Sequence, residues 1–199
     1  MICLINLGKY PSISGYVNEV ARYLKVKSRV LAEEEGDERY YCEYFKLHTL
    51  MFYAQGHMLG TYGKPLFQGA IHASVLGPRI LDISHLSNDE TYFTELPNDD
   101  IFLKVSNYIF NDNELEVLND ILRRYGKFDR YELKSISEKE DIWIEKRKED
   151  SSCSDGLEIE LEDIRKYFKL KLLREKFSNV YNDGTAKKIE RDNKKLLTY

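Results

Sequence analysis

The sequence predicts a mainly α fold with a minor β element: a helical domain with one short β segment and a C-terminal helical extension. Three observations carry this. Apolar residues recur at helical spacing over several long segments, above all residues 44–62. A single short stretch after them alternates in the manner of a strand. Capping patterns and glycines then punctuate the second half of the chain at helix-length intervals.

The elements follow in order. Tyr16 to Leu24 places Val17, Val20, Ala21 and Leu24 at i, i+3, i+4 and i+7, a short amphipathic helix with Ser12 or Ser14 available as N-cap. Residues 32–39, AEEEGDER, are acidic, interrupted by Gly36, and read as an exposed loop. The strongest helix is Tyr44 to about Tyr62. Leu47, Leu50, Met51, Ala54 and Met58 keep helical spacing, while Phe45, Phe52, Tyr53 and Leu59 widen the apolar face. A helix apolar over so much of its circumference belongs at a domain centre. Gly56 and Gly60 each weaken a helix by up to about 1 kcal/mol, so their presence predicts close backbone approach by a neighbouring element. Gly63 is placed to cap the helix, and Pro65 prevents its continuation.

Leu66 to Pro78 is β-compatible, with Ile71, Ala73 and Val75 alternating against His72 and Ser74, and Gly77-Pro78 as the closing turn. Between 79 and 111, Asn88–Glu90 and Pro97–Asp100 read as loops, and Ile101 to Phe110 fits a helix or a strand. From Asn113, Leu115, Leu118, Leu122 and Tyr125 share a helix face that Gly126 ends. Asp129 with Glu132, and Ser137 with Glu140, form capping-box patterns for two short helices, the second carrying Trp143. Glu149 to Gly156 is a polar loop. A helix from about Glu160 to Phe177 follows, with Ile164, Tyr167, Phe168, Lys171 and Leu172 along one stripe, and Asn182-Asp183-Gly184 breaks it.

Composition narrows the function. The 199 residues carry a net charge of −4, unevenly spread: residues 1–168 hold 21 Lys+Arg against 30 Asp+Glu, and residues 169–199 hold 9 against 4. The body is acidic and the tail basic: the acidic body argues against nucleic acid as the main partner, while the basic tail leaves a nucleic-acid-binding regulator as an alternative. No run of about 18 apolar residues is present, so no membrane-spanning helix is expected. The patch from Ile2 to Asn6 lacks a preceding cationic region, which makes a secretory signal improbable. Cys3, Cys42 and Cys153 are scattered, as expected of reduced thiols in a cytoplasmic protein.

Chemistry-bearing motifs are missing. His48, His57, His72 and His85 form neither HExxH nor HxH, and His48 and His57 lie about 180° apart around a helix. GTYGKP at 60–65 lacks P-loop spacing and follows a helix instead of a strand. No GxSxG elbow occurs. Neither enzymatic activity nor a cofactor nor a metal is therefore expected. Gln55 is a polar group on the apolar helix, so it is either hydrogen-bonded internally or exposed at a partner site. The candidate partner-binding residues are Gln55, His57 and Tyr62 on that helix and Lys187, Lys188 and Arg191 of the tail, which a helix would align as a basic stripe.

The central segment resembles the Panacea domain family. The family's hallmark helix and the turn after it match Lys46-Leu47, Leu50, Phe52-Tyr53-Ala54-Gln55-Gly56, Tyr62-Gly63, Pro65-Leu66-Phe67, Ile71, Ala73 and Gly77-Pro78. Val20 to Leu24 is similar to its first helix, Leu118 to Gly126 to a later one, Trp143 to the tryptophan of the next, and Ile164 to Phe168 to its closing segment. Where family members often carry a Thr-His pair, this chain reads Ser135-Ile136-Ser137-Glu138. The resemblance covers residues 16–168 and implies a Panacea-like domain over 1–168, with 169–199 as a basic helical extension. It implies a protein-binding antitoxin that neutralises a cognate toxin, in one branch by delivering it to a AAA+ protease. An inhibitor of a host system carried by a phage or mobile element would use the same kind of surface.

Overall fold

The computed structural model describes residues 13–83, 99–149 and 156–182. Helix α1 spans Ile13–Glu35, α2 Tyr44–Tyr62, α3 Asp99–Ile109, α4 Asp112–Tyr125, α5 Arg130–Ser137, α6 Asp141–Glu149 and α7 Leu161–Asn182, with a two-stranded hairpin of β1 (Ile71–Ser74) and β2 (Gly77–Ile80) after α2. The chain is thus mainly helical, with a minor β element, as its periodicities predict.

Helix α2 is the axis. Every residue from Lys46 to Leu59 is buried, and α1, α4, α5, α7 and β2 all pack on it. Its bounds match the sequence expectation because its end is chemically marked: Gly63 adopts φ 69° and donates its N–H to the Leu59 carbonyl at 3.0 Å. The two glycines have the reason foreseen for them. A Cβ on Gly56 would lie 2.4 Å from the Phe168 ring of α7, and one on Gly60 would lie 2.9 Å from the Phe168 backbone. Ile164 and Phe168 are fully buried at this contact.

Several elements depart from expectation. α1 does not stop near Leu24 but continues to Glu35, because Ala32 and the three glutamates after it are good helix formers. Gly36, at φ 63°, then ends it, so the expected loop shrinks to Gly36 and Asp37 before a short 3₁₀ turn at Glu38–Tyr40. Ser12 lies outside the described residues.

Gly77-Pro78 is not the hairpin turn. Ser74 pairs with Gly77 and Ala73 with Pro78, which leaves Val75 and Leu76 at the tip. The Ser74 hydroxyl donates to the Gly77 carbonyl at 2.8 Å and accepts the Leu76 N–H at 3.2 Å, and Gly77 supplies the positive φ of 106°. Proline is tolerated here because its partner Ala73 turns its N–H the other way, to the Leu157 carbonyl at 2.9 Å.

Ile101 to Phe110 resolves as helix α3, which takes in Asp99 and Asp100. Asn88–Glu90 lies outside the described residues. The Asp129–Glu132 box forms as written. The Ser137–Glu140 box does not: Ser137 donates to the Lys134 carbonyl at 2.9 Å, and the Glu140 carboxylate is committed elsewhere. α7 runs continuously across residue 168, the expected domain boundary, to Asn182.

The glycine contacts give a direct test. Gly56→Ala gains helix propensity but forces a methyl into the immobile Phe168 ring, and overpacking of this kind outweighs propensity. Urea unfolding is expected to show a loss of about 2 kcal/mol; a stabilised variant would show that α2 and α7 do not meet this closely.

Candidate functional site

A fully buried helix must have each of its polar groups answered inside the protein, and on α2 this fixes most of the candidate residues. Lys46 donates to the carbonyls of Arg39 and Gly126, both at 2.5 Å, tying the 3₁₀ turn and the end of α4 to the start of α2. Burial holds its pKa below the usual lysine value. His48 accepts the Ile80 N–H at Nδ1, 3.0 Å away, so it is neutral and anchors β2. Tyr53 stacks on Tyr125 with ring centres 4.3 Å apart and donates to Glu140 at 2.9 Å. Burial, and then the charge of Glu140, raise the pKa of Tyr53 far above the phenolic norm.

Glu140 is the junction of this network. The Tyr167 hydroxyl and the Lys171 ammonium of α7 also donate to its carboxylate, so α2, α7 and the residue preceding α6 meet at one buried acid. Sequence reasoning missed this role because Glu140 sits at the acid position of a capping-box pattern, and no local signal links it to Lys171 on the α7 stripe.

The predicted partner-binding residues divide. Gln55 is fully buried and bonded at both ends of its amide. Its Nε2 donates to the Phe67 carbonyl at 2.8 Å, and its Oε1 accepts the N–H groups of Leu66 and Phe67 at 2.7 and 3.2 Å. Of its two predicted fates the internal one is realised: it shapes the turn from α2 into the hairpin. His57 is buried too, its ring against Tyr125 and Phe168. Burial takes its pKa down to about 4, as it does for His48. Tyr62 alone of the three reaches the surface. It donates to Glu116 at 2.9 Å and lines a shallow groove of about 400 Å³ with Met58, Lys64, Pro65 and Glu114. Lys187, Lys188 and Arg191 lie outside the described residues.

An aromatic surface that the sequence did not disclose lies at the other end of α2. Arg130 pairs with Glu43 at 3.4 Å and covers the ring of Tyr131 at 4.6 Å, which brings the start of α5 beside the start of α2. Tyr41, Phe45 and Tyr131 are exposed there, Phe45 at 44% and Tyr131 at 66%. Phe45 is the correction: helical spacing groups it with the core, yet on α2's first turn it is exposed, with only its edge-on contact to Tyr44 among the described ring contacts. Aromatic groups combine large contact area with few rotatable bonds, so exposed ones in a group mark a contact surface.

Cys42, the one cysteine among the described residues, is a buried free thiol whose pKa burial pushes up to about 12. Among the described residues no group of three or more His, Cys, Asp or Glu is arranged to hold a metal ion. No described helix is long and apolar enough to cross a membrane.

Residues 47–144 match the family model described as antitoxin SocA-like, Panacea domain. This segment is similar to the Panacea domain. The matched segment begins one turn into α2 and ends in α6 just past Trp143, so it holds the hairpin, the Glu140 junction and Tyr131. The match thus takes in most of α2 with β2, α4, α5 and Glu140, while α1, the 3₁₀ turn that receives Lys46, and α7 lie outside it. No curated protein and no solved structure matches the chain.

The buried histidines predict a pH dependence. Both folded pKa values, about 4, lie below the ordinary 6.5, so between these limits the unfolded chain binds more protons and stability rises with pH. Melting temperature is expected to fall as pH drops from 6.5 toward 4, with a shallower slope in His57→Leu than in the wild type. An unchanged slope would mean that His57 is not held neutral.

Proposed function

We propose that this protein is an antitoxin: a stoichiometric, non-enzymatic binder that holds a cognate toxin inactive in the cytoplasm. The match of residues 47–144 to the antitoxin SocA-like Panacea domain carries the reading. The exposed aromatic group at the start of α2 and α5 supports it by offering the large, rigid side chains that dominate binding energy at protein interfaces. Neutralisation by binding requires complementarity and slow release, not a reacting group. The side chains most shielded from solvent here are accordingly spent on structure: Gln55, Lys46, His48 and Glu140 all bond within the fold.

Two modes of action are compatible with such a binder. It masks the toxin's working surface, or it also delivers the toxin to a AAA+ protease. They differ in toxin lifetime: masking leaves the toxin level unchanged, and delivery depletes it.

The test is co-expression with the neighbouring open reading frame from separate promoters, read as growth rescue and as the mass of the purified complex. Rescue with a stable stoichiometric complex is expected. A Phe45→Ser, Tyr131→Ser double variant, altered only at exposed positions, should keep its fold and bind at least about tenfold more weakly. Absence of both rescue and complex would contradict the antitoxin reading. Full rescue by the double variant would remove the aromatic group from the toxin-binding surface.

A further inference from the structure

The β1–β2 hairpin is closed along both edges, and its tip is what it presents to a partner. On the β1 side the Ala73 N–H donates to the Leu157 carbonyl at 2.9 Å, and the Ile159 N–H donates to the Ile71 carbonyl at 2.7 Å. On the β2 side Pro78 has no N–H to offer, and the Ile80 N–H is taken by His48. A further strand therefore finds no open ladder to join. Ser74 and Gly77 are buried, yet between them Val75 and Leu76 are 43% and 57% exposed.

The turn does not require these side chains. Gly77 alone supplies its left-handed position, and no described residue other than glycine has a positive φ, so Val75 and Leu76 keep ordinary backbone angles. Asn, Asp or Ser would suit the two tip positions better, because their side chains bond to the turn backbone. The tip is also held firmly. Ser74 brackets it through its two hydroxyl bonds, and Arg147 reaches the Ala73 carbonyl at 3.4 Å. Gly156 packs so tightly here that a Cβ on it would lie 1.9 Å from the Ala73 carbonyl oxygen. Two aliphatic side chains thus project from fixed backbone, which lessens the ordering that binding must supply. A Cβ on Gly77 would lie 3.5 Å from Ser137 of α5 and 4.0 Å from Thr49 of α2. Phe45 sits one turn before Thr49, and Tyr131 lies in the first turn of α5, so the hairpin borders the same two helices as the exposed aromatic group.

We propose that Val75 and Leu76 form an anchor that inserts into an apolar pocket of the cognate toxin, a role that rests on the antitoxin reading and deepens it by naming the feature of the toxin that is bound. Shape decides among occupants. A protruding pair of branched aliphatic side chains is buried by a concave apolar socket and by little else. A second copy of this chain does not offer one in either groove described here. The groove between α6 and α7, about 570 Å³, is lined mainly by charged side chains, and the one at Tyr62 is bordered by Asn111, Asp112 and Glu114. Nucleic-acid phosphates bond to neither side chain. A bilayer would gain two aliphatic groups, far too few for stable anchoring.

The experiment uses the full chain co-expressed with the product of the neighbouring open reading frame, and reads how fast the purified complex dissociates on dilution. The double variant Val75→Ser, Leu76→Asn places turn-favouring residues at the tip. Its melting temperature should equal or exceed that of the wild type, while its complex dissociates at least about tenfold faster. The control Ile101→Ser, Val105→Ser removes apolar side chains that are 53% and 40% exposed on α3, and should leave the rate unchanged. A photoreactive benzoylphenylalanine at position 76 should cross-link to the toxin, and the same group at position 101 should not. A wild-type rate in the tip variant, equal acceleration in the α3 control, or no cross-link from position 76 would overturn the proposal and leave the antitoxin reading standing. Vesicles of equal parts phosphatidylglycerol and phosphatidylcholine that retain the wild type but not the tip variant would overturn it as well. No complex with the wild-type chain would overturn both readings together.

Discussion

The structure depends on the complete burial of α2. A helix that loses water on every side from Lys46 to Leu59 gains hydrophobic stabilisation along its whole length, but each polar group it carries must then be hydrogen-bonded within the protein. Lys46, Tyr53 and Gln55, and His48 through its Nδ1 alone, meet that requirement by recruiting the chain around Arg39 and Gly126, Glu140, the turn after α2 and strand β2. The surrounding elements are therefore placed as much by polar bonds to α2 as by apolar packing. Such bonds have direction where apolar contact does not, and they select one arrangement of helices among many that would pack.

Glu140 concentrates this logic. A carboxylate shielded from water is costly unless its lone pairs are used and its charge is balanced. Two tyrosine hydroxyls and the Lys171 ammonium do both, and each donor comes from a helix that would otherwise be free to slide. Alongside it, Gly56 and Gly60 let α7 approach α2 closely enough for Tyr167 and Lys171 to reach the acid. The glycines that weaken α2 as an isolated helix are what allow its strongest neighbour to dock.

How much of this could be read from the sequence follows from where each signal lies. α2 and its Gly63 cap were legible because periodicity and a positive-φ glycine are local. The need for a close neighbour at Gly56 and Gly60 was legible for the same reason. The length of α1 was misjudged because a run of glutamates looks like a loop by polarity, although glutamate is a good helix former. The turn was placed two residues late because Gly-Pro is a strong turn dipeptide, while the actual tip, Val75-Leu76, carries no turn signal at all. Glu140 and the exposure of Phe45 depend on which helices come together, and no local pattern encodes that. Of the residues proposed for partner contact, Gln55 and His57 proved internal because a polar group on an all-buried helix has nowhere else to go. The tail residues fall outside the described region.

Separating an internally committed core from its surfaces suits a binding protein. Exposed groups such as Phe45 and Tyr131 can change without disturbing the bonds that hold α2. The most direct measurement of this architecture is native-state hydrogen exchange on the full chain, resolved by segment. The α2 amides from Leu47 to Leu59 are predicted to exchange only through global unfolding, and Glu140→Gln should lower the protection of α2 and α7 together. Exchange of α2 through local opening while α1 and α4 stay protected would contradict the account, as would loss of protection confined to α6 in the variant.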